Sequence, residues 1–313
     1  MNKQLKGSLI LLLTALIWGS SFVAQDVGGN SVGPFTFNAS RWIVGAITLM
    51  PVMLSVKKVT PEGKKVFDGL PKKPELIGGS VCGVILFISS TLQQVGISLY
   101  GEEEAAAGKS GFITALYIIL VPLFGVFLKK KIPFRVWVSV IIALMGIYFL
   151  CITESLKLSS ADIFVFLCAV SFTLHILTVD KFSAGINGIK FSAVQVAVCG
   201  ILSTICMFVL ENPNIENILS AAVPILYAGV LSSGVAYTLQ IVGQKNTDPT
   251  VASVLMSLES VFAAITGAFF GEVLTVREII GGILMFTAVI LAQVDIKKVL
   301  MKYKEKQYEI QNS

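Results

Sequence analysis

The sequence predicts an all-α integral membrane protein whose ten transmembrane helices form two inverted five-helix repeats. Three observations predict this. Of the 313 residues 55% are hydrophobic and only 14% charged, with a mean hydropathy of +0.82, whereas a soluble domain carries about 25% charged residues. Apolar runs long enough to cross a hydrocarbon core of about 30 Å, which takes roughly 20 helical residues, recur along the whole chain with short polar joints. Finally, the second half repeats motifs of the first. No segment between the apolar runs is long enough to bury a core of its own, which excludes soluble multidomain architectures.

The predicted spans are 7–25, 33–55, 76–98, 104–128, 132–152, 160–182, 189–210, 217–243, 249–271 and 276–295. Segment 1 follows Lys3 and Lys6 and carries Gly19 and Ser21, a pattern shared with cleaved leader peptides. Its removal would spoil the repeat, so it is read as a span. Glu102, Glu103 and Glu104, at the start of segment 4, suit the positive end of a helix. Pro122 is expected to kink it just beyond Tyr117. Asp248 followed by Pro249 reads as the N-cap and first residue of segment 9. Segments 5 and 10 carry no polar stripe and read as scaffold or as a surface for a homodimer, with Gly281 and Gly282 permitting close helix approach.

Leu92-Gln93-Gln94-Val95-Gly96 in segment 3 returns as Leu239-Gln240-Ile241-Val242-Gly243 in segment 8. Ile132-Pro133-Phe134-Arg135 matches Leu274-Thr275-Val276-Arg277, and Asp26 aligns with Asp180. The repeats are therefore placed at 1–155 and 156–296, followed by a basic cytoplasmic tail, 297–313. An odd number of spans per repeat makes the second half enter the membrane upside down, an arrangement found in transporters.

Orientation follows from charge. With the N-terminus on the cytoplasmic side, 20 of the 24 Lys and Arg fall in cytoplasmic loops and tails, while only Lys157 and Arg277 fall outside. The asymmetry places both termini inside, in a multi-pass protein of the cell membrane. The net charge of +5 is thus a statement about topology and lipid contact, not about nucleic acid. The cysteines, Cys82, Cys151, Cys168, Cys199 and Cys206, are odd in number and lie in or beside apolar segments, so they read as small packing residues. Neither a metal set nor a phosphate loop of Walker type is written in the chain. No cofactor is expected, and energy for any transport would come from a gradient.

Polar residues at helical spacing mark faces turned toward protein or water. Segment 1 carries Trp18, Ser21 and Gln25; segment 3 Ser90, Gln93 and Gln94; segment 4 Ser110, Thr114 and Tyr117. Segment 6 carries Ser171, His175 and Thr178, and segment 8 Ser233, Tyr237 and Gln240. Singly, such groups often serve as packing contacts of about 0.6 kcal/mol; stripes in corresponding parts of two halves point to a shared cavity for a small-molecule substrate. Among ionisable groups within spans, Lys109 and Asp180 lie near helix ends. Glu259 lies near the middle of segment 9, where it can carry a proton, bind a substrate amine, pair with Arg41 or accept a hydrogen bond from Tyr237. Arg41, in the outer third of segment 2, suits a substrate carboxylate or a structural pair with Glu259.

Several stretches resemble the EamA family of the drug/metabolite transporter superfamily. They are Ala15-Leu16-Ile17-Trp18-Gly19-Ser20-Ser21-Phe22-Val23; Phe37-Asn38-Ala39-Ser40-Arg41; Thr114-Ala115-Leu116-Tyr117 with Val121-Pro122; Ala236-Tyr237-Thr238-Leu239-Gln240; and Ser257-Leu258-Glu259-Ser260-Val261-Phe262-Ala263 with Gly271-Glu272-Val273-Leu274-Thr275. Ser260 departs from the family, which commonly places proline after the glutamate, and Lys129-Lys130-Lys131 stands where the second half has Gly271-Glu272-Val273. The resemblance implies a secondary-active permease exporting an amino acid, metabolite or drug. A membrane-embedded enzyme would need a catalytic set at one depth, and the chain has a single histidine; a non-transporting sensor or scaffold would not need the repeat.

Overall fold

In lipid every backbone donor and acceptor must be satisfied within the protein, which leaves a spanning chain little choice but helix. The computed structural model describes residues 3–59, 65–100, 106–151, 159–269 and 275–293, and it is a helical bundle. The first half contains α1 (Lys3–Gly29), α2 (Pro34–Leu54), α3 (Lys73–Ser98), α4 (Ala106–Thr114), α5 (Tyr117–Phe127) and α6 (Phe134–Cys151). The second contains α7 (Ser160–Ser183), α8 (Gly188–Leu210), a short α9 (Ile215–Ser220), α10 (Ala222–Tyr227), a π-helix (Ala228–Ala236), α11 (Tyr237–Gln244), α12 (Pro249–Met256), α13 (Glu259–Phe269) and α14 (Val276–Gln293). A small antiparallel hairpin, β1 (Lys57–Val59) with β2 (Lys65–Phe67), precedes α3.

Among the described residues, eight helical stretches are long and apolar enough to cross a membrane. The apolar cores of α6 and α14, Phe134–Phe149 and Ile279–Ala292, are shorter. The eighth predicted segment begins at Ala222, not at residue 217, because Asn214 caps the separate helix α9 through the Glu216 amide. Glu102, Glu103, Glu104, Lys157, residues 271–274 and the tail lie outside the described residues, as do the side chains of Lys109 and Cys151.

Segments 4 and 9 are each interrupted near their middle. The kink expected beyond Tyr117 lies instead before it, at Ala115 and Leu116, while Pro122 sits inside α5. The matching interruption at Ser257 and Leu258 has no proline at all. Both are tightened turns, with Ile118 N bonded to Ala115 O (3.0 Å) and Ser260 N to Ser257 O (3.2 Å), so short-range i to i+3 bonding replaces the α pattern at both places. Ser260 donates to Gly111 O at 3.2 Å and so ties α13 to α4.

Packing recurs between the halves. Helix α3 lies against α7 and α8; in the second half, the span from α10 to α11 lies against α1 and α2. A Cβ at Gly96 would stand 2.5 Å from Val165 and 3.3 Å from Ala161 O, and one at Gly243 2.7 Å from Leu11 and 3.1 Å from Gly7 O. Gly83 likewise meets Val198 and Gln195 O, and Gly229 meets Val44 and Arg41 O. The interval from Gly229 to Gly243 holds one residue more than that from Gly83 to Gly96. The π-helix between them absorbs the extra residue, as an insertion into an α-helix does.

Helices α2 and α8 pack on each other, and so do α6 and α14. Gly146 on α6 meets Gly281 O at 2.8 Å from an added Cβ, so the close helix approach expected at Gly281 is made here between α6 and α14. At the end of the bundle where α1 begins, Lys190 Nζ bonds Asp68 Oδ2 (2.6 Å) and Lys130 Nζ bonds Asp180 Oδ2 (2.6 Å). At the opposite end Glu211 accepts the Phe35 and Thr36 amides at the start of α2.

Candidate functional site

The interruptions decide what meets at the centre. Tyr117 is the first residue of α5 and Glu259 the first of α13. The Tyr117 hydroxyl donates to Glu259 Oε1 at 2.9 Å, with both side chains buried. They border a cavity of ≈ 30 Å³. Helix α1 presents Trp18, Phe22 and Gln25 to it at helical spacing, α7 presents Phe172 and Ile176, and Arg41, Gln93, Thr114, Ser232, Tyr237 and Gln240 complete the wall. Tyr237 stacks obliquely on Trp18 and Trp42, at centroid separations of 4.8 and 5.2 Å.

Arg41 is 2% exposed. Its Nε donates to Asn38 Oδ1 at 2.8 Å, and the guanidinium lies 5.1 Å from the centre of the Trp42 ring. Nη2 has no partner; Trp18 Nε1, Gln25 Oε1 and Gln240 Oε1, on the same wall, have none either. Buried polar groups are nearly always paired, because an unmet one costs about 1–3 kcal/mol. Four such atoms, one of them cationic, stand around one cavity. Arg41 and Glu259 form no ion pair, so the two partners expected for Glu259, Arg41 and Tyr237, give way to Tyr117.

Of the residues expected to line a shared cavity, Trp18, Gln25, Gln93, Thr114, Tyr117, Tyr237 and Gln240 stand on its wall together with Arg41 and Glu259. The others stand elsewhere. Ser21, Ser110 and Ser233 are buried in the bundle off the cavity wall. Ser90 accepts from Trp42 Nε1 (3.2 Å), and Gln94 donates to Gln25 O (3.2 Å). Segment 6 departs most. Ser171 accepts from Ser89 on α3, His175 pairs with Gln195 on α8, and Thr178 donates to Leu174 O of its own helix. Its cavity face is the apolar Phe172 and Ile176.

A polar stripe shows that a helix face is not lipid-facing, but not which neighbour covers it. Phe22, Phe172, Ile176 and Ser232 were therefore missed. Extending the Asp26–Asp180 alignment places Phe172 opposite Trp18, a signal that would have found one of them.

A bundle of membrane-length helices around a buried polar cavity describes a multi-pass membrane protein, and the family match makes it a transporter. The chain belongs to the EamA-like transporter family, whose model matches residues 5–152 and again 159–293. It is 28% identical over 291 residues to an uncharacterized transporter of Archaeoglobus fulgidus, covering 92% of this chain and 86% of that one. It is 22% identical over 293 residues to the uncharacterized transporter YoaV of Bacillus subtilis, covering 90% and 94%. A crystal structure with 17% sequence identity shares the fold, with a TM-score of 0.72 over 92% of this chain and 98% of that chain.

Proposed function

We propose that the protein is a secondary-active transporter of a small zwitterionic solute, an amino acid or similar metabolite, working by alternating access between two inverted halves of five spans each. The observation that carries the reading is one cavity wall holding a cation with an unmet donor, Arg41 Nη2, and a carboxylate, Glu259, that are not paired with each other. A solute carboxylate answers Arg41, whose planar donors suit it, and a solute ammonium answers Glu259 and the faces of Trp18 and Tyr237.

Two features support alternating access. The contacts of Gly96 and Gly83 recur at Gly243 and Gly229, and the family model matches each half separately. The cavity of ≈ 30 Å³ has room for roughly two waters, so a solute enters only when the walls part. The halves span 1–155 and 156–296; the charge distribution supports ten spans, both termini in the cytoplasm and a cell-membrane location. Glu259, at the centre and able to release or take up a proton, is the proposed coupling residue.

The test is a thermal-shift screen of purified protein against amino acids, nucleosides and cationic drugs, since a ligand that binds the folded state raises its melting temperature. Zwitterions are expected to stabilise the protein and to lose that effect in Arg41→Met. Stabilisation by nucleosides or cationic drugs alone would reject the zwitterion.

A further inference from the structure

The two halves are chemically unequal around the cavity, and the inequality lies at matched positions. The contacts at Gly96 and Gly243, and at Gly83 and Gly229, place Ser21 and Arg41 of the first half where His175 and Gln195 stand in the second. By the same correspondence Ser90 stands where Tyr237 does. The neighbours repeat as well. Asn38 Nδ2 donates to Ser90 O, and Thr238, beside Tyr237, donates to Ser192, the residue that stands where Asn38 does.

Arg41 lies two turns from the start of α2 and opens onto the cavity. His175 and Gln195 lie two turns from the opposite end of the bundle, near the close of α7 and the start of α8, and are fully buried off the cavity wall. His175 Nε2 faces Gln195 Oε1 at 3.2 Å, while His175 Nδ1 and Gln195 Nε2 have no partner. Tyr237 stands on the cavity wall and touches His175 as well: its ring packs on Trp18 and Trp42, and His175 meets it edge-on at 6.0 Å.

Resting on the transport reading, we propose that Tyr237 is the gate on the side where α1 begins, and that His175 and Gln195 behind it form a second solute station. With His175 Nε2 donating to Gln195, one acceptor, Nδ1, and one donor, Gln195 Nε2, are left. Together they complement both ends of a zwitterion, ammonium on the imidazole and carboxylate on the amide, without any formal charge. A neutral station releases its solute more readily than the charged pocket of Arg41 and Glu259, which suits a site passed in transit between the cavity and that end of the bundle.

His175 is the sole histidine, so its modification by diethyl pyrocarbonate is read unambiguously from one peptide by mass spectrometry. The test uses the full chain in lipid nanodiscs, with glycine as the probe. In the wild type and in Tyr237→Phe, which keeps the ring, His175 is expected to react slowly. In Tyr237→Ala it is expected to react about tenfold faster or more, as a buried group does once its cover is removed. Glycine is expected to slow the reaction in Tyr237→Ala but not in Tyr237→Ala/Gln195→Leu; acetate and methylammonium, each matching one end only, are expected to protect less. Tyr237→Val serves as a better-packed truncation if the alanine variant melts early.

Equal reactivity of wild type and both truncations would overturn the gate. Glycine protection that is absent, or that survives loss of Gln195, would overturn the station. A blank solute screen together with an unlocked His175 would count against the transport reading and leave the gate standing.

Discussion

The hydroxyl of Tyr117 donates a 2.9 Å hydrogen bond to the carboxylate of Glu259, and the two residues hold the same place in the two halves of the chain. Each is the first helical residue after an interruption that occurs once in segment 4 and once in segment 9. The pair thus joins the two interruptions, with a phenol on one side and an acid on the other. A movement of one half against the other acts directly on this contact.

Removing the acid separates binding from coupling. In proteoliposomes Glu259→Gln is expected to abolish the response of solute flux to an imposed proton gradient, because an amide cannot exchange the proton. Tyr117→Phe is expected to keep that response and to lower the melting temperature, since it removes the hydrogen bond to Glu259 and a hydrogen bond to a charged group is worth about 1.5–3 kcal/mol. Full gradient dependence in Glu259→Gln would refute the coupling role.

Arg41 is buried with one donor unmet, and the role proposed for its charge is to meet a ligand. Arg41→Met is expected to leave the melting temperature unchanged or higher, because apolar replacement of a buried ion is often neutral or stabilising by about 1–4 kcal/mol. The stabilisation by zwitterions is expected to vanish. Arg41→Lys is expected to restore little, since an ammonium offers a compact charge in place of a planar fork. A melting temperature that falls steeply in Arg41→Met would identify a structural role instead.

Gly19 ties α1 to the backbone that carries Glu259. A Cβ there would lie 2.4 Å from Glu259 O and 2.8 Å from Ala263 N, both main-chain atoms that cannot step aside alone. Gly19→Ala is expected to destabilise the protein by about 1–3 kcal/mol and to weaken solute binding. Gly111→Ala, whose new Cβ would find its nearest neighbour at 3.9 Å, is the control and is expected to leave both unchanged. Thermal melts of the two variants with and without solute decide the matter.

Lys190, 1% exposed, holds Asp68 and through it the loop before α3. Lys190→Ala is expected to cost about 1–3 kcal/mol, less than a fully buried pair would because Asp68 is 18% exposed. A double-mutant cycle with Asp68→Asn measures the coupling; additive losses would show that the two side chains act independently.

Much of the bundle was legible because lipid imposes a simple rule. A span must be apolar, helical and about 20 residues long, and α1, α2, α3, α7 and α8 lie close to the limits read from hydropathy. The helix breaks were less legible. Pro122 drew attention to the wrong turn, because the interruption answers to packing at the centre, and it recurs at Ser257 and Leu258, where no proline marks it. The π-helix was invisible for a similar reason: one extra residue between Gly229 and Gly243 becomes meaningful only when both glycines are seen to make the same contact as Gly83 and Gly96.

By itself the sequence determined that this chain lives in a membrane, that its helices come in two related sets, and which residue types are available for chemistry at depth. Hydrophobic length, charge asymmetry and repeated motifs are properties of a linear chain. Only the tertiary structure decided that Glu259 answers to Tyr117 and not to Arg41, that Phe172 and not His175 faces the cavity, and that Arg41 keeps a donor unmet. The physical reason is that a helix displays all its faces to a reader of sequence, while the cost of burying a polar group depends on the one neighbour that packing brings against it.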